Sequence, residues 1–224
     1  MGISKPAAER LARLARLLEQ RVEAGQTAPV PSSGLEQLTG WPSHTIRKDI
    51  SQLGAEFLRE EEASESFSTS SGYDPAALAA CIRRVLSLEK EAWNCCVVGL
   101  GRLGSSFLDY GEFAGTPFRL RAGFDSNVNR IEILQSTFPL YPTFRMKEVI
   151  PRFDIRFALL CVPESCAQSS ADKLFACGVR GIVNFTSAVL TVPPEAAVEN
   201  VSVLDVLGAL TARLSFNKTK STEK

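Results

Sequence analysis

The chemistry legible in this sequence starts at residues 95–107, CCVVGLGRLGSSF, where an apolar run meets Gly99-Leu100-Gly101-Arg102-Leu103-Gly104. Glycines at this GxGxxG spacing, with a strand before and a helix after, form a turn that holds a dinucleotide pyrophosphate. Gly99 permits the tight turn, Gly101 lets the backbone approach the pyrophosphate, and Gly104 lets the helix lie close on the sheet. The anion would rest on the N–H groups that open the helix, where Arg102 and Leu103 sit. Asp125 ends the next strand-like run, placed to accept hydrogen bonds from the adenosine ribose. A carboxylate there repels a 2′-phosphate, which favours NAD(H) over NADP(H).

The partners of catalysis do not accompany this turn. Hydride transfer needs a general acid–base beside the nicotinamide. After the later strand, CVPESCAQ offers Pro163, Glu164 and Ser165 but no Lys/His or Tyr/Lys pair. The single histidine, His44, argues against a His-based metal site and against a Ser-His-Asp triad. Six cysteines show no CxxC spacing, so reduced and mostly buried thiols are expected. No apolar run reaches membrane-spanning length and the N-terminus lacks an apolar signal core, so the expected location is cytoplasmic.

These residues need a scaffold, and the periodicity divides the chain of 224 residues into two halves. The first reads as helical. Over 6–22, Leu11, Leu14, Leu17 and Leu18 recur at helical spacing. A second helix is announced by Ser33 with Glu36, a capping box, and ends near Gly40. A third runs from about Ser43 to Leu53. Two short helices joined by GWPS fit either a helix-turn-helix or an ordinary helical hairpin. On the third helix Ile46, Ile50 and Leu53 share one face, while His44, Arg47, Lys48 and Ser51 fan across the other. Arg and Lys suit guanine edges or phosphates, and Ser suits either. The net charge is zero, from 25 basic and 25 acidic residues, which excludes a uniformly basic nucleic-acid coat but not a local patch. Residues 54–72 occupy the position of a β-hairpin wing, yet they are rich in glutamate, which repels phosphate. A helix over 73–89, with Asp74 as N-cap and Pro75 at its first position, should link the halves.

From residue 93 strand-like runs recur at 93–99, 118–125, 154–162, 178–185 and 198–204, with helices at about 102–113 and 164–177. The stretch 126–153 is less clear. Mostly apolar strands alternating with helices predict a parallel sheet covered on both faces.

In order along the chain, IRKDISQLG, GY, VVGLGRLG, DYGEF, GFD, ALLCVP, GVRGIVNFT and VPPEAAVENV resemble the Rex redox-sensing transcriptional repressors over most of residues 8–216. The resemblance implies an α/β protein: a winged helix-turn-helix domain (1–75), a linker helix (76–92), a Rossmann NAD(H)-binding domain (93–204) and a C-terminal helix (205–224). It implies a homodimer that exchanges this last helix, binds palindromic operator DNA when NADH is scarce, and releases it when NADH binds. Residue by residue, it implies DNA contacts by Arg47 and Lys48, oriented by Asp49. It places Tyr110 near the nicotinamide, and Val162, Pro163, Asn184 and Phe185 at strand ends lining the cofactor. Arg16 would pair with the exchanged helix, Asp205 standing in for the family's aspartate, which is Ser202 here, and Phe216 would be that helix's aromatic, a cofactor-binding residue. The wing departs from the family's short basic one, and Gln52 stands where the family has an aromatic. Three readings follow: an NADH-responsive repressor, a Rex-like sensor that has lost operator binding, and a small NAD-dependent oxidoreductase.

Overall fold

The computed structural model describes residues 2–57, 67–88, 92–114 and 116–222, with side chains beyond 55 up to 66 and from 216 onward left aside. The chain divides into two compact units, Met1–Lys90 and Glu91–Lys224.

The first unit contains α1 (Lys5–Glu23), α2 (Ser32–Thr39), α3 (Ser43–Phe57), a hairpin of β1 (Ser68–Thr69) and β2 (Gly72–Tyr73), and α4 (Pro75–Val85). Its core joins Leu11, Leu14 and Leu18 of α1 to Leu35, to Ile46, Ile50 and Leu53 of α3, and to Leu78 and Ile82 of α4. Leu17 is only half-buried, at the edge of the apolar stripe.

Three expectations change here. The capping box does not form: Pro31 is the N-cap of α2 and no side chain caps it. Glu36 instead accepts a hydrogen bond from the Ser43 N–H at 3.1 Å, so it braces the start of α3. Helix α3 runs four residues past Leu53, to Phe57. The linker helix expected over 76–92 stops at Val85, and its apolar side is buried in the first unit's core rather than standing apart. Its start is as expected, with the Asp74 carboxylate accepting from the Ala77 N–H at 2.8 Å.

The hairpin is tied down by a third segment. Val30 and Tyr73 exchange both backbone hydrogen bonds, at 2.8 and 2.9 Å. Gly72 makes this possible: its φ is +139°, and a Cβ there would lie 2.6 Å from the Val30 carbonyl oxygen. Helices α2 and α3 followed by a paired hairpin form a winged helix-turn-helix. The glutamate-rich stretch 58–66 lies outside the described residues.

In the second unit six parallel strands form one sheet in the order β5-β4-β3-β6-β7-β8. They are β3 (Trp93–Val98), β4 (Phe118–Asp125), β5 (Leu140–Pro142), β6 (Ile155–Leu160), β7 (Gly181–Asn184) and β8 (Ala197–Asn200). Side chains of β3 alternate between two apolar layers: Cys96 and Val98 join Phe124, Leu160, Ala167 and Leu174 on one face. Val97 joins Leu100, Leu108 and Leu159 on the other. The sheet is therefore covered on both sides, as its apolar strands require.

The helices are α5 (Arg102–Ser105), α6 (Val128–Ile133), α7 (Met146–Arg152), α8 (Glu164–Ala176) and α9 (Val203–Thr222). The helix expected over 102–113 is only four residues of α5. Ser106 Oγ donates to the Leu103 carbonyl at 2.6 Å and takes an acceptor the helix would use. The chain continues through i→i+3 bonds, Leu108 to Ser105 among them, into a 3₁₀ turn at Gly111–Phe113. Strand β8 ends at Asn200, so residues 203–204 open α9 instead of closing a strand.

Candidate functional site: a dinucleotide cavity and an exposed recognition helix

Strand order reverses between β3 and β6, and ligands of open α/β sheets sit beyond the carboxyl ends of the strands at such a point. The glycine turn lies there. Gly99 has φ +87°, and a Cβ on it would stand 2.6 Å from the Cys161 carbonyl oxygen. A Cβ on Gly104 would collide with the Gly99 carbonyl, so the turn closes only with glycine at both positions. Gly101 faces open space, with nothing within 4 Å of where its Cβ would be. The first two glycine requirements belong to the fold, and the third belongs to whatever approaches the turn. Arg102 and Leu103 are exposed beside it.

A cavity of about 500 Å³ opens at this crevice. It brings together five of the residues singled out from the sequence: Gly99, Gly101, Asp125, Val162 and Pro163. It adds Ser126, Arg130, Thr143, Met146, Cys161, Cys166, Ser169, Ser170 and Lys173, which sequence reasoning passed over. Pro163 is the N-cap of α8, and Cys166, Ser169, Ser170 and Lys173 follow on that helix.

Asp125 is 3 % exposed. Its Oδ2 accepts from the Leu100 N–H at 2.7 Å and from Arg130 at 2.9 Å, and its Oδ1 accepts from the Asn127 N–H at 2.7 Å. Burial pushes this carboxyl upward, but the hydrogen bonds from Asn127, Arg130 and Leu100 outweigh it and hold it below the ordinary carboxylate range. The residue therefore braces the glycine turn from the neighbouring strand, a use beyond the ribose contact expected of it.

Tyr110 and Phe185 do not line this cavity; they join an aromatic cluster on the sheet face that carries Val97 and Leu159. Phe107 meets Tyr110 edge-on at 5.7 Å and Phe185 at 5.5 Å, and Tyr110 meets Phe113 at 5.9 Å. Tyr110 is half exposed. Phe107 and Phe113 carry no signal in the sequence beyond flanking the tyrosine. Asn184 is fully buried, and its side chain is engaged inside the protein. Its Nδ2 donates to the Ala188 carbonyl and to Asn200 Oδ1, while its Oδ1 accepts from the Thr186 hydroxyl at 2.7 Å. It clamps β7 to β8 rather than lining the cavity.

The thiols follow their strands. Cys95 and Cys96 are buried, and burial pushes both upward, Cys95 to about 12. Cys161 at the cavity wall is likewise pushed up to about 12 by burial. Cys166 is the exposed one among the described cysteines.

In the first unit, His44, Arg47, Lys48 and Ser51 are all exposed along α3, opposite the buried Ile46, Ile50 and Leu53. Asp49 does not reach Arg47 or Lys48. It is buried and receives both arms of the Arg10 guanidinium, at 2.7 and 2.8 Å. This bidentate pair fastens α3 to α1, and Arg13 covers the Trp41 ring at 5.8 Å in the turn before α3. Arg83 of α4 pairs with Glu19 of α1. Arg16 is exposed on α1 and Asp205 on α9. Helix α9 also exposes Val203, Leu204, Val206, Leu207, Leu210 and Leu214. The side chain of Phe216 lies outside the described residues. No helix among the described residues is long and apolar enough to cross a membrane.

Comparison with known proteins addresses both units. Residues 90–188 match the CoA binding domain family, and residues 2–51 match the family described as "Putative DNA-binding protein N-terminus". The redox-sensing transcriptional repressor Rex of Thermus thermophilus is 36 % identical over 216 residues, covering 96 % of this chain and 94 % of that protein. The structure of RSP in complex with β-NADH superposes with a TM-score of 0.79 at 25 % identity, covering both chains fully (100 % of each). The structure of RSP, a Rex-family repressor, with β-NAD+ and operator DNA gives 0.77 at 26 % identity, covering 98 % of this chain and 96 % of that one. With a glycine turn braced from β4, a cationic helix face braced from α1, and this extent of identity along one chain, the protein belongs to the Rex family of redox-sensing transcriptional repressors.

Proposed function

We propose that this chain is a repressor whose hold on operator DNA is controlled by NADH in the crevice between β3 and β6. The observation that carries the reading is the pairing, in one chain, of a dinucleotide turn with an outward α3 face of His44, Arg47, Lys48 and Ser51. The pyrophosphate lies on the N–H groups of Gly101, Arg102, Leu103 and Gly104, with Gly99 shaping the turn. Asp125 edges the adenosine ribose, Val162 and Pro163 wall the adenosine side, and Tyr110 with Phe185 flanks the nicotinamide. In α3, Arg47 and Lys48 contact phosphates or guanine edges, and His44 and Ser51 complete the reading face. Recognition belongs to residues 1–75, cofactor binding to 93–204 and dimerisation to 205–224.

The working form is a homodimer, because two half-sites of a palindrome require two recognition helices. The exposed aliphatic side of α9 is what the partner covers, with Asp205 pairing with Arg16 of the partner's first helix and Phe216 reaching the cofactor. NADH shifts the dimer by binding one arrangement better than the other, and only to the extent of that difference. The role is regulatory rather than enzymatic, as with the relatives named as repressors, and its place is the cytoplasm, where the chromosome lies. The cofactors are NADH and NAD+.

A feature of the sequence favours a second reading, a dinucleotide sensor without operator binding: the stretch between α3 and β1 carries Glu60, Glu61, Glu62 and Glu65, and carboxylates repel a phosphate backbone. A mobility shift on palindromic operator DNA, with and without NADH at two salt concentrations, separates them. A specific shift abolished by NADH is expected, and its absence at low salt selects the second reading.

A further inference from the structure

We propose that the adenosine end of the cavity admits a phosphate on the ribose 2′-oxygen, so that the chain binds NADPH and NADP+ as well as NADH and NAD+, with Arg130 reading the phosphate. This rests on the dinucleotide reading above and concerns which dinucleotide that site takes.

Selectivity for NAD over NADP in such folds comes from a carboxylate at the end of the second strand, its lone pairs turned to the ribose hydroxyls. Asp125 holds that position at the cavity wall, but its oxygens are already engaged within the protein. Three donors occupy them: the N–H groups of Leu100 and Asn127, and the Arg130 guanidinium. A carboxylate offers about four lone-pair sites, so little remains for a ribose hydroxyl. The charge that would expel a phosphate is also balanced in place, by the ion pair to Arg130.

The rim beyond Asp125 carries no substitute. Residues 126–131 read Ser-Asn-Val-Asn-Arg-Ile, without a second acid. Among the described residues lining the cavity, Asp125 is the one acid, against two cations, Arg130 from α6 and Lys173 from α8. The Arg130 side chain is 43 % exposed and gives one terminal nitrogen to Asp125. A guanidinium fork has five N–H donors, enough to keep the carboxylate and to meet a second, phosphate oxyanion. Ser126, exposed beside it, adds a hydroxyl that serves a ribose oxygen or a phosphate alike. An arginine near this position is how such folds accommodate the 2′-phosphate.

The same phosphomonoester on adenosine occurs at the 3′-position of other nucleotides, so the test separates the two. The purified full-length protein is titrated with NADH, NADPH, adenosine 2′,5′-bisphosphate and adenosine 3′,5′-bisphosphate by calorimetry. NADPH is expected to bind within about tenfold of NADH, and the 2′,5′-bisphosphate more tightly than the 3′,5′-isomer. Arg130→Gln is expected to raise the NADPH-to-NADH ratio of dissociation constants by about tenfold or more, with Arg130→Lys recovering part of the loss. Asn127→Asp, which keeps a side chain able to cap α6, adds a carboxylate at the rim and is expected to raise the same ratio. NADPH weaker than NADH by more than about tenfold overturns the proposal, as does a ratio unmoved by both Arg130→Gln and Asn127→Asp, or preference for the 3′,5′-isomer. Failure of NADH itself to bind removes the dinucleotide reading and this proposal with it, an outcome visible in the first titration.

Discussion

The two units present hydrogen-bond donors by opposite means. In the glycine turn the donors are backbone N–H groups, and the side chains are kept away: a Cβ on Gly99 or Gly104 would strike backbone atoms. On α3 the donors are the ends of long exposed side chains, while the backbone is sealed in a helix. Both arrangements are held by a buried aspartate reaching to another element, Asp125 to the turn and Asp49 to α1. A backbone site is rigid and tolerates few substitutions, whereas a side-chain site tolerates substitution but depends on net charge and salt.

The largest effects should therefore come from the turn. Gly99→Ala and Gly104→Ala should each destabilise the second unit by about 2–4 kcal/mol and abolish NADH binding, read by thermal melting and titration. Gly101→Ala should sharpen the contrast, leaving the melting temperature in place while weakening NADH by about 100-fold. A Gly104→Ala chain that melts normally and binds NADH would break the comparison.

On α3 the order reverses. Arg47→Ala and Lys48→Ala should leave melting unchanged, since both side chains are exposed, but weaken operator binding. In a mobility-shift titration across salt, each should lower the slope of log affinity by about one if it contacts phosphate. If one contacts a guanine instead, specificity should fall while the slope is kept.

A smaller effect tests the braces. Asp49→Ala strips the partly buried Arg10 of its buried partner and should cost about 1–2 kcal/mol in urea unfolding of the first unit, with NADH affinity unaltered. The smallest is an acid response. Because the Asp125 carboxyl is held below its unfolded value, its contribution is complete above about pH 4 and disappears as pH falls through the lower folded value. Asp125→Asn should remove that part of the acid dependence of melting.

Much of this architecture could be read beforehand, and the misses have physical causes. Strand β4 spans the expected 118–125, because Phe118, Leu120 and Ala122 alternate with Arg119 and Arg121 at the two-residue period of a strand before the run ends in an acid. The stretch 126–153 resisted because α6 has six residues and α7 seven, too short to show a 3.6-residue period, and β5 has three. That stretch supplies Ser126, Arg130, Thr143 and Met146 to the cavity, so this part of its wall was hidden with it. Glu36 carries the spacing of a capping box yet serves the next helix, since local sequence does not say which N–H will be nearest. Asp49, beside Arg47 and Lys48, suggests a residue that orients them, and Asn184, at a strand end, suggests one that lines the cofactor, but both are buried and engaged inside the protein. The aromatic cluster of Phe107, Tyr110, Phe113 and Phe185 unites segments whose proximity only the sheet creates.

Helix α9 has a consequence for dosage. A helix of 20 residues that shows water six large aliphatic side chains makes a solitary copy of this chain sticky. With a second copy as its cover, dilution below the dimer's dissociation constant uncovers this surface and separates the two recognition helices in one event. A cell that lowers the amount of this regulator thus meets a threshold rather than a proportional loss, below which the remaining copies neither grip a palindrome nor stay safely apart from other exposed apolar surfaces.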